Sequence, residues 1–156
     1  MAMNTHQTPS FRTPSSFVTY RLSKLQSRLN RQATAILKSK AGLSLVEWRV
    51  IQVLRMFENA SLTDIAGHVQ MDKGQLSRKI KGMVGKGLLR VEVDDQDNRV
   101  QHLHLTPEAQ DLSAQVMPTM EARQTRLLAE VSAEDLAVFY DVIDKIEAAA
   151  DFRGAE

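Results

Sequence analysis

Apolar residues recur at three- and four-residue steps through Phe17, Tyr20, Leu22, Leu25, Leu29, Ile36 and Leu37. That is the spacing of one face of an α-helix, and it predicts a helix from about Ser16 to Gly42. Pro9, Pro14 and the Ser/Thr residues around them predict a flexible arm over 1–15. Three further helices open on local capping pairs: Ser44 with Glu47 for Leu45–Phe57, Ser61 with Asp64 for Leu62–Val69, and Asp72 with Gln75 for Lys73–Lys86. Each pair places an oxygen acceptor three residues before a side chain that can return a bond, satisfying N–H groups that the helix leaves open. The period then shortens. Residues 88–93 and 99–105 are β-rich, and Asp94 to Asn98 between them are turn-formers, which predicts a hairpin. Thr106-Pro107 restarts helix as N-cap and first turn, running to about Glu130, with Pro118 inside it as a kink or break. Ser132 and Asp135 cap a last helix over 133–149, whose stripe is Leu136, Phe139, Tyr140, Ile143 and Ile146.

The predicted architecture is mainly α with a small β-hairpin, an α+β chain. Its parts are an arm (1–15), an N-terminal helix (16–42), a compact lobe (43–105), C-terminal helices (106–150) and a tail (151–156). The terminal helices carry apolar stripes longer than a lobe of this size covers, so a second copy of the chain is the expected partner and 16–42 and 106–150 the dimerisation segments.

Composition narrows the chemistry. At 156 residues, 43% hydrophobic and 25% charged, the chain holds one ordinary core and not two large ones. No apolar run approaches the roughly 18 residues of a membrane span, so no membrane association is expected. No apolar signal segment opens the chain, and the expected location is cytoplasmic. The absence of cysteine excludes disulfides, thiolate metal sites, a cysteine nucleophile and a thiol redox switch. Net charge is +1, but residues 1–60 carry nine basic and two acidic side chains, and residues 106–156 carry four and eleven. A polyanion-binding face is compatible with that sorting.

The two short helices 62–69 and 73–86, joined by Gln70-Met71-Asp72, have helix-turn-helix spacing. With Leu76, Ile80, Met83 and Val84 turned inward, Gly74, Ser77, Arg78 and Lys81 point away from the core, flanked by Lys73, Lys79 and Lys86. Residues 73–90 hold six basic side chains and no acidic one. That pattern fits a recognition helix in a major groove. Gln75 and Arg78 reach toward base edges, while Lys73, Ser77, Lys79 and Lys81 serve as phosphate or short polar contacts, and Gly74 lets the helix start approach the backbone. The hairpin is then a wing, with Arg99 held by Asp95 and Asp97 and aimed into the minor groove.

The stretches LSLVEWRVIQVL (43–54), SLTDIAGHVQMDKGQLSRKIKGMVGKGLLR (61–90) and DDQDNRVQHLHLTPEAQDL (94–112) resemble the MarR family of winged helix-turn-helix transcriptional regulators. The likeness extends over about 17–150. Its marks are Lys86-Gly87-Leu88-Leu89-Arg90 after the recognition helix, Asp97-Asn98-Arg99 in the wing and Leu105-Thr106-Pro107-Glu108-Ala109 into the next helix. The resemblance implies a homodimer on pseudo-palindromic double-stranded DNA, acting as a repressor released by a small aromatic or phenolic carboxylate. It places the effector pocket where the first, second and fifth helices meet, with Arg28, Arg31 and Trp48 as candidates. Asn98 stands where the family often has arginine, and Gly82 and Gly85 each cost the recognition helix roughly 1 kcal/mol relative to alanine.

Other readings carry less of the sequence. His102 and His104 share a strand face near His68, but no acidic ligand stands at motif spacing, so no metal is assigned. No HExxH, phosphate loop or nucleophile elbow is present, so no catalytic residue, cofactor or enzyme activity is expected. The alternative is a winged-helix protein-interaction module without DNA readout. Such a module tends to lose the cations of residues 73–86 and gain aromatics there, which this chain does not.

Overall fold

The computed structural model describes residues 13–57, 60–93 and 101–151. After a 3-10 turn at Pro14–Ser16, the elements are α1 (Val18–Ala41), α2 (Leu45–Met56), α3 (Leu62–Val69), α4 (Lys73–Gly85), β1 (Leu89–Val93), β2 (Gln101–Leu105), α5 (Pro107–Leu127) and α6 (Ala133–Ala150). The element order matches the expected one, mainly helical with one small antiparallel hairpin. No described helix is long and apolar enough to cross a membrane.

The chain divides into two compact units, one ending at Met117 and one beginning at Pro118. The core of the first unit joins Leu37 of α1, Val50 and Ile51 of α2, Ile65 of α3, Leu76 and Met83 of α4 and Val116 of α5, all fully buried. Each such side chain contributes about 1.5–3 kcal/mol by leaving water. Polar ties add register to this packing. Arg49 Nη2 donates to Asn30 Oδ1 at 3.1 Å, fixing α2 against α1. The buried hydroxyl of Ser113 on α5 accepts from Arg55 Nη1 at 2.9 Å and Gln52 Nε2 at 3.2 Å, both on α2. β1 and β2 pair from Leu89↔Leu105 to Val93↔Gln101. Thr106 Oγ1 donates to the Gly87 carbonyl at 2.6 Å and accepts from the Ala109 N–H at 3.2 Å, so the expected N-cap also clasps the start of the hairpin.

In the second unit α5 runs on through Pro118 to Leu127, where the expectation reached Glu130. A turn over residues 128–130 then leads to α6. Ser132 Oγ accepts from the Asp135 N–H at 3.0 Å, as the sequence predicts. No residue of α6 is buried, and Val138, Phe139, Tyr140 and Val142 are exposed. The arm over 1–12, the tail over 152–156 and the wing tip over 94–100 lie outside the described residues.

Candidate nucleic-acid interface

The site rests on how α3 hands the chain to α4. Ser61 and Asp64 form the full capping box at the start of α3. At its end Gln70 turns left-handed (φ 55°, ψ 51°), and the Met71 N–H reaches back to the Ala66 carbonyl at 3.1 Å. Ala66 is buried, so the small side chain lets the two helices cross closely. Asp72 then caps α4, its Oδ1 accepting the Gln75 N–H at 2.8 Å. Only this half of the expected box forms, and the Gln75 side chain stays exposed.

Leu76, Ile80 and Met83 turn inward as predicted. Val84 does not: it is 37% exposed, because at 100° per residue it falls roughly 80° from Leu76, at the margin of the stripe. Lys73, Gly74, Gln75, Arg78 and Lys81 are exposed. Ser77 and Lys79 are half-buried on the flanks, Lys79 only about 60° from Leu76, so its stem lies along the edge of the core. The outward arc of α4 is cationic, with its only capping acid at the N-terminus. Arg99, Asp95 and Asp97 fall among residues outside those described.

Lys86, counted with the basic run in the sequence, has a structural partner instead. Its Nζ lies 2.7 Å from Oε1 of Glu47 on α2. Oε2 of the same carboxylate accepts the Ser44 N–H at 2.8 Å, and Ser44 Oγ accepts the Glu47 N–H at 3.3 Å. Burial pushes the Glu47 carboxyl up, but the Lys86 ammonium and the Ser44 bonds outweigh it and hold the group below its ordinary 4.5. The capping box was visible in sequence. The second use of its glutamate was not, since Lys86 is 39 positions away.

Two of the candidate effector residues share a groove. Arg28 and Arg31 line an open groove of about 400 Å3 along α1 with Tyr20, Ser23, Lys24 and Ser27. Lys24 Nζ sits 5.9 Å from the Tyr20 ring centroid. Trp48 is not part of this groove and is 6% exposed, within the core of α2. Among the described residues no three His, Asp or Glu side chains gather as metal ligands do. His104 Nε2 lies 3.3 Å from Glu92 Oε2, and His68 stacks on Phe57 with centroids 5.2 Å apart, a pair the sequence reading missed.

This frame is shared with known proteins. Residues 43–100 match the model of the MarR family. The chain is 24% identical over 105 residues to the uncharacterized HTH-type transcriptional regulator YdgJ of Bacillus subtilis (strain 168), a match covering 67% of this chain and 64%, less than two thirds, of that relative. Among solved structures, a MarR/EmrR family transcriptional regulator from Acinetobacter sp. ADP1 is similar with a TM-score of 0.81 at 23% identity, over 89% of this chain and 98% of that one. MepR of S. aureus, solved as a DNA complex, gives a TM-score of 0.80 at 16% identity, over 89% and 100%. At such identities the solved structures speak to the fold, and the family model speaks to the lobe that carries the helix-turn-helix. Residues 43–100 thus match the MarR family, and the chain has the fold of solved winged helix-turn-helix members of that family.

Proposed function

We propose that this protein is a homodimeric, sequence-specific regulator of transcription that reads a pseudo-palindromic double-stranded operator through α4, as a repressor released by a small aromatic or phenolic carboxylate. The observation that carries the reading is the outward face of α4. Exposed Lys73, Gly74, Gln75, Arg78 and Lys81 follow a helix-turn-helix crossing, with Ser77 and Lys79 on the flanks. In this reading Gln75 and Arg78 contact bases, and Lys73, Ser77, Lys79 and Lys81 contact the phosphate backbone. Arg99, supported by Asp95 and Asp97, reaches the adjacent minor groove. Exposed apolar side chains on α1 and α6 supply the surface for the second protomer. Arg28 and Arg31 are the cations proposed for the effector carboxylate, with Trp48, buried on α2, as a reporter of changes there rather than a direct contact.

Arg78→Ala and Lys81→Ala test the interface. Genomic footprinting with the purified protein supplies the cognate site, and titrations at several salt concentrations supply the energies. Arg78→Ala is expected to cost about 1–3 kcal/mol on the cognate site and to relax preference at one base pair. Lys81→Ala is expected to weaken cognate and random DNA alike and to flatten the salt dependence. Wild-type protein that binds no site above random DNA would overturn the reading.

A further inference from the structure

Two glycines of α4 have no reason inside the protein to be glycine. Gly82 and Gly85 both lie in regular helix, where glycine is less stable than alanine. Neither has a positive φ, which among the described glycines is confined to Gly42 and Gly87. A Cβ placed at either position meets nothing within 4 Å. Gly74 differs, since a Cβ there would stand 3.3 Å from Asp72 Oδ1, the atom that caps the helix. Nor is the end of α4 a hinge. The Gly87 N–H donates to the Val84 carbonyl and the Leu88 N–H to the Met83 carbonyl, both at 2.9 Å, with Met83 and Leu88 buried. Lys86, between them, is held by Glu47.

The reason then lies outside the helix. With Leu76, Ile80 and Met83 turned inward, a step of about 100° per residue puts Gly85 roughly 20° to one side of Arg78 and Gly82 roughly 40° to the other. Both glycines therefore sit on the outward arc among Lys81, Arg78 and Gln75, and all five residues are exposed. Arg78 and Lys81 have no ion-pair partner among the described residues. We propose that Gly82 and Gly85 are clearance positions for duplex DNA. A bare backbone there lets the groove close onto the C-terminal half of α4, so the helix lies against DNA along its whole length of about 20 Å and not by its first turns alone. A side chain at either position would stand between Arg78 or Lys81 and the duplex, and bonds near 3 Å do not survive that separation. The inference deepens the DNA-binding reading above and rests on it.

The test sets stability against affinity in four full-length variants: Gly82→Ala, Gly85→Ala, Gly82→Met and Gly85→Met. Alanine and methionine are both strong helix formers, so the two series differ in size and little in rigidity. Melting temperatures should rise in all four, by about 2–4 °C at position 82 and by less at position 85, the last residue of the helix. Affinity for the footprinted site should move the opposite way, with Kd raised about tenfold by each alanine and about a hundredfold by each methionine. Three results would overturn the proposal: alanine variants that bind the site as tightly as wild type, equal losses for alanine and methionine, which would assign the glycines to flexibility, or melting temperatures that fall. Wild-type protein with no preferred site would remove the DNA reading and this inference together. That outcome is distinct from a wild type that binds its site and variants that match it, which removes this inference alone.

Discussion

Gln70 is the one described residue other than glycine with a positive φ. Its Cβ crowds the backbone there, a cost of roughly 1–2 kcal/mol that glycine avoids. The strain is held because the left-handed turn ends α3, letting the Gln70 N–H reach the Ala66 and Gly67 carbonyls and delivering Asp72 to cap α4. Gln70→Gly should therefore raise stability, by about 0.5–1 kcal/mol after glycine's greater freedom in the unfolded chain is subtracted. Urea melts decide this, and a loss of stability would mean the glutamine side chain contributes more than its exposed position implies. Sequence placed Gln70 correctly in the connection between the helices. Its handedness was not legible, because glutamine carries no preference for that conformation and only the packing of α3 on α4 demands it.

At the scale of elements, the capping signals were the most readable because each is complete within four residues. Glu47 illustrates the limit. Its box with Ser44 is local, but the bond to Lys86 ties the N-terminus of α2 to the residue that caps the end of α4. The folded-state pKa of Glu47 is lowered from 4.5, so between the two values the unfolded chain binds more protons and stability falls as pH falls. The contribution is fully present above about pH 4.5 and is lost on acidification through the lower, folded value. Glu47→Gln is expected to cost about 1–2 kcal/mol at neutral pH, since Lys86 is half-exposed and screened. The difference from wild type should shrink in melts carried out below pH 4.5. A constant difference across pH would assign the cost to packing alone. The same bond explains why Lys86 is a poor choice for a phosphate contact: moving it to DNA leaves a buried carboxylate without its cation.

On the scale of the molecule, the compact lobe was readable because its stripes, caps and turn all agree. The wing contact is an expectation from a pattern of charges alone, and its residues lie outside those described. Of the effector candidates, Arg28 and Arg31 share a groove because they lie three residues apart on α1, whereas no periodicity fixes their distance from Trp48 on another helix. The long-stripe argument for assembly concerns α1 and α6, where Phe17, Val18, Tyr20, Leu25, Val138, Phe139, Tyr140 and Val142 are all at least 44% exposed. Sedimentation equilibrium should give twice the chain mass of 17.5 kDa at micromolar concentration. A folded species at the single-chain mass would remove the dimer from the proposal.

An 18-residue helix with no buried side chain has little to hold its shape alone, since most helical stability in proteins comes from the packing of an apolar face. If pairing is what orders α6, then abundance becomes part of its folding equilibrium. Dilution should open residues 133–150 to a protease while the lobe that carries α4 stays resistant, and cleavage there should slow as chain concentration rises. Newly made chains would be vulnerable until they meet. A cell holding too few copies for pairing would also be clearing them fastest, which sets a floor beneath which the chain does not accumulate.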